Sequence, residues 1–360
     1  VNRAIPARGM YQREPSDRVL CLLQKPYDLI NAMEYLNAYR PRGTLHAMII
    51  GSHINAVAVA EICRQRHIPF TNTLDPDLYA YFSARLNTKL DWPRSLLLFM
   101  KAALRPICYM YWLFAFLYLF LRLRSVRYDL VLFDAWRSKC LYISALPPGT
   151  SFVIVDGGFS TLHYGLCAAF DRGGAEELVR VALQKQRPVM PLVLRWLAAQ
   201  RCSNKTPFFT CYQDQISASC RHPVLANEYR YCSATLGEKT VRPGVMILGI
   251  PMLKHIDIYI ERALDAQTEA GIDRDVKTIE YRFHPTDRHR ANIDPSYCFA
   301  IEQGVAERGL NFSYPQFSLE IDFLQQREVP AIIVAYPSSS LRWIEEVLQS
   351  RVRIITMMER

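Results

Sequence analysis

Three short stretches bring together residue types suited to group-transfer chemistry. Tyr281–Asp287 reads YRFHPTD, Val153–Thr161 reads VIVDGGFST and Tyr336–Leu341 reads YPSSSL. Each closes an apolar run with small, polar or titratable side chains, as a buried strand does when it delivers groups at its carboxyl end. Asp156, followed by Gly157 and Gly158, is expected to be open on one side to a substrate. A partly desolvated Asp there can act as a general base toward a hydroxyl, and the same Asp-Gly pair is equally the sequence of a turn. His284 can donate to a phosphate oxygen or pass a proton to a leaving group, and Pro285 restricts it to extended geometry. Arg282, Arg288, His289 and Arg290 make its surroundings positive. A loop histidine before a proline has the same sequence. Ser338, Ser339 and Ser340 precede an amphipathic helix carrying Leu341, Ile344, Val347 and Leu348. A helix N-terminus offers unpaired N–H groups and a positive dipole end to phosphate. Serine is also a favoured N-cap, and the two roles are compatible.

Other motifs carry less. Asp75-Pro76-Asp77 and Asp273-Arg274-Asp275 match an Asp-X-Asp metal pattern, but in unrelated loops, as chance matches do. No metal site is expected from them. GxGxxG, Walker A, HExxH and GxSxG are all absent, so dinucleotide, P-loop, zinc-protease and hydrolase readings lose support.

The elements that position these groups follow an α/β rhythm. Arg18–Leu23 and Leu45–Ile50 read as strands, each followed by a helical pattern, at Tyr27–Tyr39 and Asn55–Arg66. Asp129–Phe133 and Ser151–Val155 are further strands, with a helix across Ser138–Leu146, and Phe208–Tyr212 is a candidate last strand of a first domain. Polar Arg221–Val241 reads as connecting structure. The pattern then restarts. Val245–Leu248, Val276–Arg282, Ala331–Ala335 and Val352–Thr356 read as strands. Ile256–Ala270, Tyr297–Arg308, Ser318–Gln326 and Ser339–Leu348 read as helices. A chain of 360 residues, about half of them hydrophobic, can bury two cores. Two Rossmann-like domains facing across a cleft are expected, residues 1–240 and 241–360, with all three stretches at strand carboxyl ends.

A net charge of +9 points to an acidic partner: a nucleotide, an acidic glycan or an anionic membrane. Nucleic acid is not expected, because the basic residues are dispersed and no helix-turn-helix, zinc-finger or RRM signature is present. The ten cysteines are scattered without a CxxC pair, as buried thiols in a reducing compartment are. Val1–Asp17 is polar and basic without an apolar core, so no signal peptide is expected there. Ile107–Leu121 is the most apolar run, flanked by Arg105, Arg122 and Arg124. Its fifteen residues fall short of the roughly 20 that span a bilayer. A buried helix and a helix lying in a membrane face both fit it, and its Tyr and Trp content with basic flanks suits an interface. Arg187–Arg201 could add to the same surface.

In order along the chain, Asp156-Gly157, His284-Pro285 and Ser339-Ser340 resemble the Asp-Gly, His-Pro and Ser-Ser motifs of the bacterial sialyltransferases. The likeness is to the polysialyltransferases and the lipooligosaccharide sialyltransferases. The FFTCY strand, LGIP at Leu248–Pro251 and Ser318-Leu319-Glu320 are further family-like features. The family's first acidic position is Val155 here. The resemblance implies a GT-B fold and an inverting, metal-independent transfer of sialic acid from CMP-sialic acid to a hydroxyl of a capsular polysaccharide or lipooligosaccharide. No cofactor is implied. Asp156 would deprotonate the acceptor, with Gly157, Gly158 and His163 on the acceptor side. His284 would serve the departing phosphate, which Ser338, Ser339 and Ser340 would hold beside Arg282 and Pro285. Glu320 would accept from ribose hydroxyls, and Gly249 and Ile250 would approach the base. The expected location is the bacterial cytoplasm, peripheral on the inner membrane face. A GT-B enzyme with another CMP- or UDP-linked donor, and a non-catalytic glycan- or membrane-binding relative, are the rival expectations.

Overall fold

The computed structural model describes residues 17–50, 54–73, 113–134, 136–156, 206–215, 222–249, 256–273, 275–283, 295–313, 318–348 and 351–357, together with 110, 197–198 and 200–202. The chain divides into two compact units, Val1–Asn227 and Glu228–Arg360.

The first unit is built on strands β1 (Arg18–Leu23), β2 (Thr44–Ile50), β3 (Phe70–Thr73), β4 (Leu130–Phe133), β5 (Ser151–Val155), β6 (Phe208–Thr210) and β7 (Val224–Ala226). They form one sheet in the order β3-β2-β1-β4-β5-β6-β7, with every pair parallel. The chain steps outward from β1 to β3, then crosses to the far side of β1 to lay down β4. The switch point of this doubly wound sheet therefore lies between β1 and β4. Strands covered on both faces need continuous apolar sequence, and VLCLL in β1, LVLF in β4 and FVIV in β5 are buried throughout. The helices are α1 (Pro26–Tyr39), α2 (Ile54–Gln65), α3 (residues 113–125) and α4 (Trp136–Ala145). Pro26 opens α1 in its first turn, where a missing N–H costs nothing.

The second unit begins with α5 (Arg230–Gly237) and carries β8 (Thr240–Leu248), β9 (Ile279–Arg282), β10 (Asn311–Ser313), β11 (Glu328–Ala335) and β12 (Arg353–Thr356). Its sheet runs β10-β9-β8-β11-β12, again all parallel, so its switch point lies between β8 and β11. Helices α6 (Ile256–Glu269), α7 (Pro295–Glu307), α8 (Leu319–Gln325) and α9 (Ser339–Leu348) complete it. Val245, Ile247, Tyr281, Phe283, Ile332 and Val334 fill its core together with Tyr259, Ala263 and Ala266 of α6. Two doubly wound, Rossmann-like α/β units in succession make the GT-B class of fold that the sequence leads one to expect.

Four details differ from the sequence reading. The division falls after Asn227, ahead of the expected boundary at residue 240, because α5 packs against α8 and α9 of the second unit. The stretch read as connecting structure holds both α5 and the edge strand β7. Edge strands β3 and β10 are partly exposed and lack the apolar run that marks a central strand. Val276–Thr278 is a single 3-10 turn and not the start of β9, because the Asp275 carboxylate accepts from the Lys277 amide at 2.9 Å. That bond also gives Asp275 a local capping role.

Candidate active site

In the first unit, the carboxyl ends of β1, β4, β5 and β6 carry a row of polar groups. Asp156 follows β5 directly and is 0 % exposed. Thr210 donates its hydroxyl to Asp156 Oδ1 at 2.8 Å, and the Cys211 amide donates to Oδ2 at 2.9 Å. The Tyr212 amide donates to Thr210 Oγ1 at 3.0 Å, which orients that hydroxyl toward the carboxylate. The Asp156 carbonyl accepts from Asn31 Nδ2 at 3.0 Å, and Asn31 Oδ1 accepts from Asn227 Nδ2 at 3.0 Å. One network thus joins α1 to the ends of β5, β6 and β7. It sets the direction of the Asp156 carboxylate. The expectation that Asp156 stands open beside its glycines differs from the structure, where the carboxylate is enclosed.

At the switch point itself lies a second buried group. Lys139 of α4 is fully buried, donates to the carboxylate of Asp134 at the end of β4, and has its Nζ 3.7 Å from Asp28 Oδ2. Asp28 in turn accepts from the Gln24 and Lys25 amides at 2.8 and 2.9 Å, closing the N-terminus of α1. Burial pushes the Lys139 ammonium below the usual lysine value, and the charge of Asp28 opposes that shift. This cluster welds α1, α4 and the β1–β4 junction together under the edge that bears Asp156.

In the second unit, the expected donor-side residues gather at the carboxyl ends of β8, β9 and β11. Gly249 follows β8, and its amide donates to the Arg282 carbonyl at 2.8 Å. A Cβ at that position would stand 2.5 Å from the Tyr281 hydroxyl and 2.9 Å from the Arg282 carbonyl oxygen. Only glycine fits there, for reasons of space. Ser338 caps α9: its Oγ accepts from the Leu341 amide at 3.1 Å, so its hydrogen remains to donate outward. Ser340 donates its hydroxyl to Glu320 Oε1 at 2.6 Å, and Glu320 is buried in α8. Ser339 is the first residue of α9.

Arg282, expected on the donor side, lies at the end of β9. It is 5 % exposed and forms an ion pair with Asp322 of α8. The pair ties the end of β9 to the helix that holds Glu320. Burial pushes the Asp322 carboxyl above its usual value, with Arg282 opposing. His284, Pro285, Ile250, Gly157, Gly158 and His163 lie outside the described residues, as do Asp75 and Asp77. Among the described residues, no group of three or more His, Cys, Asp or Glu side chains is placed to hold a metal ion.

The structure therefore brings Gly249, Glu320, Ser338 and Ser340 to one edge of the second sheet, and sets Asp156 at the corresponding edge of the first. Sequence reasoning missed Asp28, Asn31, Asp134, Lys139, Thr210 and Asn227. A signal existed for Asp134, since LVLFD repeats the strand-then-Asp pattern of VIVD. For Asn31 and Asn227 there was none, because their roles depend on partners brought together only by folding.

No family model matches the chain, and no curated protein matches it. Among solved structures it is similar to the UDP-GlcNAc 2-epimerase of Methanocaldococcus jannaschii, solved with UDP-GlcNAc and UDP. The identity is 12 %, the TM-score 0.47, and the match covers 94 % of this chain and 83 % of that one. It is similar to MurG of Acinetobacter baumannii at 9 % identity and a TM-score of 0.39, over 92 % of this chain and 77 % of that one. The UDP-N-acetylglucosamine 2-epimerase of Rickettsia bellii aligns at 13 % identity and a TM-score of 0.42, over 95 % and 79 %. Likenesses this distant assign no donor, acceptor or reaction.

Proposed function

We propose that the protein is a glycosyltransferase of GT-B type, and within that class an inverting, metal-independent sialyltransferase that moves sialic acid from CMP-sialic acid to a hydroxyl of a cell-surface glycan. One observation carries this reading. Ser338 and Ser340, with Glu320 behind them, stand at the N-terminus of α9 on the carboxyl edge of a doubly wound sheet, beside its switch point. A phosphate there would meet unpaired helix N–H groups, the positive end of the helix dipole and the Ser338 hydroxyl. Gly249, at the end of the neighbouring strand β8, removes the side chain that would obstruct a planar group.

In the proposed reaction Asp156 takes the proton from the acceptor hydroxyl. The oxygen attacks the anomeric carbon of the sialic acid as its bond to the CMP phosphate breaks, which inverts that centre. His284 donates to the departing phosphate. Negative charge grows on that phosphate during bond cleavage, so donors fixed beforehand at α9 act most strongly in the transition state. Thr210 and Cys211 hold the Asp156 carboxylate in register for that proton transfer.

Acceptor-dependent release of CMP from CMP-sialic acid tests the reading. It should disappear in folded Asp156→Ala and His284→Ala variants, and the site assignment fails if both retain full activity. A thermal-shift panel of CMP, UDP and GDP tests the donor. Stabilisation by UDP and not by CMP would replace the sialyltransferase reading with a UDP-sugar enzyme on the same fold.

A further inference from the structure

Helix α3 has two apolar faces, and only one is used inside the protein. Leu119 and Leu123 are buried in the first unit's core against residues such as Leu20, Met48 and Val131, with Ala115, Phe116 and Phe120 packed beside them. On the other side Leu113, Phe114, Leu117, Tyr118 and Leu121 are exposed, and Met110, also helical, continues the line. Their spacing of three and four residues makes a single stripe along the helix. The exposure is large where it matters: Phe114 is 62 % and Leu121 70 % exposed. A contiguous stripe of this kind calls for a partner, unlike scattered surface leucines.

The charge around the stripe says which partner. Residues 110–128 contain Arg122, Arg124 and Arg127 and no Asp or Glu. All three arginines are exposed. Arg122 is steadied by donating to the Tyr118 hydroxyl at 2.7 Å and to Thr71 Oγ1 at 3.2 Å. Arg124 stands 3.9 Å from the centroid of the Phe120 ring. Cations are thus held in place at the C-terminal end of an apolar, aromatic stripe, the arrangement by which a helix lies in an anionic bilayer surface. The described residues 113–125 at about 1.5 Å each reach roughly 20 Å, short of the ~30 Å hydrocarbon layer, and the inner face is committed to the core. No helix among the described residues is long and apolar enough to span.

We infer that α3 is a monotopic membrane-docking element, in which Met110, Phe114, Leu117, Tyr118 and Leu121 enter the acyl-headgroup boundary while Arg122, Arg124 and Arg127 engage anionic phospholipid. This inference is independent of the reaction proposed above. The test is co-sedimentation of the full chain with phosphatidylcholine vesicles, with and without phosphatidylglycerol. Binding is expected to be strong only when phosphatidylglycerol is present and to weaken with added salt. The Phe114→Ser/Leu121→Ser variant should lose at least about tenfold in affinity, from the apolar area withdrawn. Arg122→Ala and Arg127→Ala should each lose about fivefold on anionic vesicles and little on neutral ones. Because these side chains are exposed, the variants should keep the wild-type melting temperature, which separates docking from folding. The inference is overturned if wild type ignores anionic vesicles, or if the serine variant binds them unchanged. It is equally overturned if sedimentation shows a dimer that the serine variant dissociates, for then a second copy covers the stripe.

Discussion

Replacing Asp156 by Asn separates a catalytic role from a structural one. The carboxylate is fully enclosed and accepts from the Thr210 hydroxyl and the Cys211 amide. Asparagine is nearly isosteric but offers one acceptor in place of two. The Cys211 amide cannot turn away, so the Asn carbonyl should face it and the Asn amide should meet Thr210. Thr210 Oγ1 already accepts from the Tyr212 amide, so its own hydrogen loses its acceptor. One buried donor left unsatisfied costs about 1–3 kcal/mol. A domain stable by about 5 kcal/mol or more keeps roughly 95 % or more of its molecules folded after such a loss. Unfolding therefore removes at most a small fraction of activity. Loss of a general base removes about 10²–10⁴-fold. The assay pairs urea denaturation with the rate of CMP release per folded molecule. The expected result is a stability loss of about 1–3 kcal/mol with a rate loss of at least about a hundredfold. A rate within a few fold of wild type would refute the base role, and unchanged stability would refute the hydrogen-bond network as drawn.

Four further outcomes are expected. Lys139→Met strands the buried carboxylates of Asp134 and Asp28 and should cost about 3–5 kcal/mol by denaturant titration; a loss under about 1 kcal/mol would mean that the cluster is solvated. Gly249→Ala drives a methyl group into Tyr281 and the Arg282 carbonyl, and should cost about 1–3 kcal/mol and weaken CMP binding measured by calorimetry. The Asp322 carboxyl, raised by burial, binds its proton more tightly folded than unfolded. It therefore adds stability as pH falls from its raised value through the usual 3.8. The stability of wild type minus that of Asp322→Asn should rise as pH falls across that window, and a fall in that difference would reverse the direction of the shift. Burial pushes the Cys63 and Cys202 thiols to about 12, so both should resist iodoacetamide in the native protein near neutral pH and react on unfolding, followed by mass spectrometry.

Much of the molecule was readable from local pattern. Buried parallel strands require continuous apolar runs, so β1, β2, β4, β5, β11 and β12 showed themselves within a residue or a few of their ends. Helix α9 begins and ends where its amphipathic pattern does, at Ser339 and Leu348. Strand β8 was harder. The sequence reading begins it at Val245, yet the strand starts at Thr240 and runs through Arg242-Pro243-Gly244, with Gly244 at φ +148° and a register shift between Pro330 and Ile332 on β11 opposite. A glycine absorbs the kink that lets two prolines sit in paired strands.

By itself the sequence determined the class of fold, two successive parallel α/β units, and the chain positions of the strand-end residues Asp156, Gly249 and Ser338–Ser340. Those follow from periodicity and composition, which are local. Only the tertiary structure decided what surrounds them. It enclosed Asp156 between residues 54 and 55 positions further along, linked Asn31 to Asn227 across 196 positions, and paired Arg282 inward with Asp322. It also left the outer face of α3 bare while burying the inner one. Burial and hydrogen-bond partnership are properties of where distant segments meet, and no local pattern in the chain encodes that meeting.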